Sequence, residues 1–101
     1  MNDVISVLCP TRGRPGLLAA SVRLLLHTAA VRERVEVLLA VDEDDRIDYD
    51  RVWRVQGARD GKPIPWKVFR EPRHGYAGLY HYYNRLAKEA RGRWCLLWND
   101  D

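Results

Sequence analysis

The chain has 101 residues, 47% of them hydrophobic and 31% charged, which is the size of one ordinary domain. That balance excludes a second full-sized domain, an intrinsically disordered segment and a membrane-embedded protein. Seventeen basic against fourteen acidic side chains leave a net charge of +3, which is compatible with phosphate-bearing partners but names none.

Residues 4–9 (VISVLC) form a β-branched run stopped by Pro10, the pattern of a buried first strand. Pro15 then opens an amphipathic helix to about His27, with Leu17, Leu18, Val22, Leu25 and Leu26 at helical spacing. Residues 35–41 (VEVLLAV) predict a second buried strand, which runs into Asp42, Glu43, Asp44 and Asp45. Asp45 is placed to cap a second helix reaching about Gln56, with Ile47, Val52 and Val55 as its apolar face. Residues 57–65 (GARDGKPIP) read as a loop, residues 66–69 as a short third strand and residues 71–75 (EPRHG) as another break. From Ala77 to Ala90 the set Leu79, Tyr83, Leu86, Ala87 and Ala90 predicts a third helix, with Gly92 at its stop. Residues 93–98 (RWCLLW) predict a fourth strand, followed by Asn99, Asp100 and Asp101.

Strands alternating with helices require a mostly parallel sheet, so the expected fold class is α/β, a Rossmann-like four-stranded sheet flanked by helices. Every segment that follows a strand then lies at the carboxyl edge of the sheet, where open α/β folds bind ligands. Those segments are the polar ones: residues 10–14, 42–45, 71–75 and 99–101. Cys9 and Cys95 lie in apolar runs without a CxxC and read as reduced core residues of a cytoplasmic protein. Asp3 and the lack of a basic leading region argue against a signal peptide, and Arg23 and His27 interrupt any spanning helix.

Thr11, Arg12, Gly13 and Arg14 offer backbone N–H groups, a hydroxyl and two guanidinium forks near a helix start, which is equipment for binding an anion. There is no GxGxxG and no GxxxxGK[ST] to specify a dinucleotide or a Walker-type site. Arg73 and His74 could reach a phosphate from the third rim segment, or form an ordinary exposed basic loop. Asp42 could accept hydrogen bonds from a nucleobase or ribose, whereas helix capping accounts for Asp44 or Asp45. Asp100 and Asp101 are hard oxygen ligands suited to Mg²⁺ or Mn²⁺, or else a solvated tail. His27, His74 and His81 lack metal-ligand spacing, and neither serine lies in a GxSxG elbow, so a zinc site and hydrolase chemistry have no support. Trp53, Trp66 and Trp94, each beside a basic residue, imitate single-strand nucleic-acid binders but mostly follow core periodicity.

Taken together, the strand followed by PTRGRP, the strand ending in VDEDD and the segment NRLAKEARGRWCLLWNDD resemble the nucleotide-binding half of family 2 glycosyltransferases with the GT-A fold. Asn84, Gly92, Trp94, Asp100 and Asp101 carry most of that resemblance, which covers nearly the whole chain. It implies a partial GT-A sheet in the order 3-2-1-4 and a single nucleotide-sugar-binding domain over residues 1–101 that stops after the metal motif. By the same resemblance Pro10, Thr11, Arg12 and Arg14 line the nucleotide pocket, and Asp42, Glu43 and Asp44 supply its acidic wall, with Asp42 on the base. Arg73 approaches the diphosphate, Asp100 faces the ribose or sugar and, with Asp101, holds Mg²⁺ or Mn²⁺. The implied partners are a UDP- or GDP-sugar and an acceptor, with no nucleic acid. Trp98 stands where many members have the first Asp of the metal motif, and Glu43 replaces the second Asp of the acidic pair. The family's acceptor site and catalytic base lie beyond its metal motif, so residues 1–101 would serve donor binding alone. The fourth strand would leave an open edge through which copies of the chain could associate. Two other classes fit the same residues: a non-enzymatic nucleotide or nucleic-acid binding module, and a degenerate α/β interaction domain.

Overall fold

A computed structural model describes residues 3–28, 34–57 and 64–99. In chain order these form β1 (Ile5–Thr11), α1 (Pro15–Thr28), β2 (Val35–Asp42), α2 (Tyr49–Val52), β3 (Trp66–Glu71), α3 (Leu79–Glu89) and β4 (Trp94–Leu97). A π-helical turn, Trp53–Gly57, continues α2, and a 3-10 turn, Tyr76–Gly78, leads into α3. All four strands are parallel, in the order β3-β2-β1-β4, so the expected Rossmann-like α/β class and strand order are what the chain adopts. Among the described residues no helix is long and apolar enough to cross a membrane.

The apolar stretches 7–9 of β1 and 37–41 of β2 follow from burial on both faces of the sheet. Val7, Cys9, Val37, Leu39 and Val41 point to one face, where they pack with Leu18, Val22 and Leu26 of α1 and with Tyr49, Trp53 and Trp66. Leu8, Leu38 and Ala40 point to the other and pack with Tyr82 and Leu86 of α3. Each buried aliphatic side chain contributes roughly 1.5–3 kcal/mol by transfer from water, so the two central strands carry much of the folding energy.

Several expected boundaries shift, each for a physical reason. Pro10 does not stop β1: it pairs in register with Ala40, and the strand continues to Thr11. The carbonyls of Val4 and Leu8 accept from Arg93 and Trp98, so the even-numbered residues of β1 turn their backbone groups toward β4. The β4 ladder ends at the Leu8–Leu97 pair, and Pro10 is the next even residue. Its missing N–H therefore faces the β4 side, just beyond the last described pair, where it can supply no further rung.

Asp45 does not cap the second helix, which begins later. Asp48 is the cap, its carboxylate accepting from the Arg51 N–H at 3.1 Å. The buried residues of that segment are Tyr49 and Trp53, whereas Val55, expected on the apolar face, is 70% exposed. Cys95, expected in the core, is exposed, because β4 is an edge strand that no described helix covers. Trp94 is likewise exposed, with the Arg93 guanidinium 5.3 Å from its ring centre, whereas Trp53 and Trp66 are buried. The expected loop over residues 57–65 lies mostly outside the described residues.

Helix α3 ends at Glu89, and Ala90 rather than Gly92 closes it. Gly92 instead permits a close approach of chain segments. Its N–H donates to Ser6 Oγ at 2.8 Å, and that hydroxyl donates to Glu36 at 2.5 Å. A Cβ at Gly92 would lie 2.5 Å from Ser6 Oγ, 2.6 Å from the Val4 carbonyl oxygen and 2.8 Å from Ser6 N. Two of those three atoms are backbone and cannot swing away. Gly92→Ala is therefore expected to displace the start of β4 and lower unfolding free energy by about 1–3 kcal/mol in urea titration. A loss below ~0.5 kcal/mol would mean that the crossing relaxes freely.

Candidate functional site at the carboxyl edge of the sheet

The carboxyl ends of β1 and β2 project beyond β4, and on the α3 side of the sheet they form the floor of a cavity of about 230 Å³. Pro10, Ala40, Leu79 and Tyr82 give it apolar walls, and Arg12, Arg14 and Arg73 are among its lining residues. Thr11, Asp42 and Gly75 complete the lining. Such a volume lies below the ~300–1,000 Å³ typical of drug-sized ligands and has room for a small group only.

The local sequence explains how these side chains meet. Gly13 (φ +65°) and Gly75 (φ +71°) adopt the left-handed backbone region, and each lies within two residues of a cavity arginine. Arg12 Nη1 contacts Asp42 Oδ2 at 2.6 Å and Asp44 Oδ1 at 2.7 Å, so one guanidinium joins both carboxylates. Asp42 is nearly enclosed, and its other oxygen accepts from the Tyr82 hydroxyl. Arg73 approaches Asp44 at 3.7 Å, closing a short ion network across the rim. Arg70 secures the acidic loop from below, donating to the backbone oxygens of Asp45 and Ile47 at 2.5 and 3.3 Å.

Titration follows the same contacts. Hydrogen bonds to Asp44 and then Asp42 push the Arg12 guanidinium further above its usual range, so it remains a cation. The Arg12 guanidinium holds the Asp44 carboxyl below the usual carboxylate range. Burial, reinforced by the bond to Asp42, raises the Tyr82 phenol and keeps it protonated as a donor. Burial would raise Asp45, but bonds from the Tyr49 hydroxyl and the Ile47 and Gly13 N–H groups outweigh it and hold the carboxyl low.

Of the residues expected at the site, Pro10, Thr11, Arg12, Arg14, Asp42 and Arg73 line this one cavity. Asp44 stands beside it as the partner of Arg12 and Arg73 rather than as a helix cap. Glu43 is exposed and outside the lining, its N–H donating to the Glu71 carbonyl at 2.8 Å. Asp100 and Asp101 lie outside the described residues, and the last described residue, Asn99, accepts from Ser21 Oγ of α1 at 3.5 Å. Asn84, one of the residues carrying the resemblance, borders a separate groove on the outer side of α3 with His74, His81 and Lys88.

Sequence reasoning missed Ala40, Gly75, Leu79 and Tyr82 as lining residues. Tyr82 was legible in principle, since it follows Leu79 by three and precedes Leu86 by four, the spacing of one helical face. Among the described residues no three His, Cys, Asp or Glu side chains converge as a cation site. The two carboxylates nearest the cavity, Asp42 and Asp44, are already joined by Arg12. The described site thus consists of cationic and hydrogen-bonding groups around an apolar floor. No protein-family model matches this sequence, and no curated protein matches it.

Proposed function

We propose that this chain is the donor-binding portion of a glycosyltransferase that takes a nucleotide-diphosphate sugar. The observation that carries the reading is the convergence of Pro10, Thr11, Arg12, Arg14, Asp42 and Arg73 on one cavity at the carboxyl edge. In this reading the base enters against Pro10, Ala40, Leu79 and Tyr82, and Asp42 accepts from a polar edge of the base or ribose. The diphosphate extends toward Arg14 and Arg73, whose forks match phosphate oxygens. Arg12, held between two carboxylates, keeps Asp42 in place more than it offers charge to the ligand. A bound Mg²⁺ or Mn²⁺, held by Asp100 and Asp101, would offset the charge that develops on a departing diphosphate.

Calorimetry with uridine, UDP and GDP, with and without Mn²⁺, tests this. Parent protein should bind at least one nucleoside diphosphate more tightly than uridine. Arg73→Ala should weaken that ligand about tenfold, as expected for loss of a charge-assisted hydrogen bond, and leave uridine affinity nearly unchanged. A folded sample that binds none of these would refute the proposal, and an equal loss for uridine and UDP would remove Arg73 from the diphosphate.

A further inference from the structure

The hydroxyl of Tyr82 stands at the centre of a short relay. Tyr82 is 6% exposed and anchored by its place beside Leu86 in the core on the α3 side. It accepts from the His74 backbone N–H at 2.8 Å and donates to Asp42 Oδ1. The His74 imidazole lies edge-on to its ring, with centroids 5.2 Å apart. Asp42 ends β2, while His74 sits between Arg73 and Gly75, both of which line the cavity. One oxygen atom on α3 therefore ties the acidic wall of the cavity to the loop that carries its outer cation. Glu71 at the end of β3 and Arg85 on α3 brace that loop from the far side, through contacts of 3.6 Å to His74 and 3.2 Å to each other.

We propose that Tyr82 is a positioning residue of this site: its hydroxyl fixes the Asp42 carboxylate and the Arg73 loop in one mutual arrangement, and so sets the affinity for a nucleoside diphosphate. The inference rests on the nucleotide reading above. Phenylalanine at this position keeps the ring packing while leaving the His74 N–H without its acceptor and Asp42 Oδ1 without its donor. Asp42 is then free to turn fully toward Arg12, and the loop loses its backbone hydrogen bond to α3 while keeping the stacking of His74 on His81 and the Glu71–Arg85 brace.

The test is a double-mutant cycle read by calorimetry with UDP. Tyr82→Phe should weaken UDP about tenfold with the fold retained, the size of one lost hydrogen bond to a charged group. In an Asp42→Ala background the same substitution should cost less than about fourfold, because the bond to Asp42 is already gone and only the tie to the His74 loop remains to be lost. A purely structural tyrosine would give additive losses. A second reading needs neither ligand nor the Phe variant: Asp42→Asn in the free protein should shift the His74 amide resonance through the shared hydroxyl. Additive losses, equal UDP binding by parent and Tyr82→Phe, or an unmoved His74 amide would each overturn the inference while the nucleotide reading stands. Failure of the parent to bind UDP or GDP would remove both.

Discussion

Trp53→Ala is expected to lower unfolding free energy by about 3–5 kcal/mol, the range for truncating a buried aromatic residue. Trp53 is 1% exposed and sits in the core between the sheet and α1, so few neighbours can collapse into the space it would leave. Its ring meets Trp66 edge to face, with centroids 5.2 Å apart and planes at 69°. Pairs of this kind add about 0.5–1.5 kcal/mol beyond area burial. The same residue begins the π-helical turn that packs on α1. Since a domain of this size has only about 5–15 kcal/mol of stability, the variant should unfold at markedly lower urea, as followed by circular dichroism. Trp53→Phe should cost less, because it keeps an aromatic face toward Trp66. A loss below ~1 kcal/mol for the alanine variant would show that the core reorganises around the gap.

Asp45→Ala should cost about 2–4 kcal/mol, for a different reason. The carboxylate accepts from the Gly13 N–H at 3.3 Å, the Ile47 N–H at 3.1 Å and the Tyr49 hydroxyl. Tyr49 is 2% exposed, so its orphaned hydroxyl cannot recover a water, whereas the two amides are easier to resolvate. The effect has a signed pH dependence. Burial pushes the Asp45 carboxyl up, but its three donors and the Arg12 charge push it down further, so the folded state favours the ionised form. That contribution is complete above the unfolded value of about 3.9 and is lost as pH falls through the depressed folded value. The difference in stability between parent and Asp45→Ala should therefore be constant from neutrality to about pH 4.5 and shrink below it. Tyr49 acts in the opposite sense: burial first, then Asp45, raises its phenol. Its contribution is complete below about pH 10 and lost as pH rises through the folded value. A parent–variant difference that grew on acidification would contradict the account of Asp45.

The elements most legible in the sequence were those whose pattern had one cause. The run at residues 35–41 is apolar from Val37 onward because both faces of β2 are covered there, and it becomes a strand that extends one residue further, to Asp42, with Glu36 at its less buried start. Alternation of strands and helices sufficed for a parallel sheet, and polar residues after each strand pointed to the carboxyl edge, where six of the expected residues meet. The second helix is less legible because its expected apolar face rests on Ile47, Val52 and Val55, whereas the side chains that fill the core there are the aromatic ones, Tyr49 and Trp53, and Val55 is exposed. Asp45 was misassigned because an aspartate before a helix is the usual cap, and only the fold reveals that Gly13, thirty-two residues earlier, needs the same carboxylate. Helical spacing places Tyr82 on the core-facing side of α3, but its hydroxyl finds Asp42 forty positions away, and no local pattern encodes that pairing.

Pro10 has a role larger than its tolerance in the strand. Backbone pairing between β1 and β4 propagates like a zip, and the proline is the tooth that cannot engage. Closure therefore stalls at Leu8 with the Trp98 N–H, and β1 is left overhanging by Cys9, Pro10 and Thr11, a span of roughly 10 Å. Among the described residues the rim of the crevice thus owes its last open stretch to covalent structure, since a ring nitrogen without hydrogen offers a neighbouring strand nothing to accept.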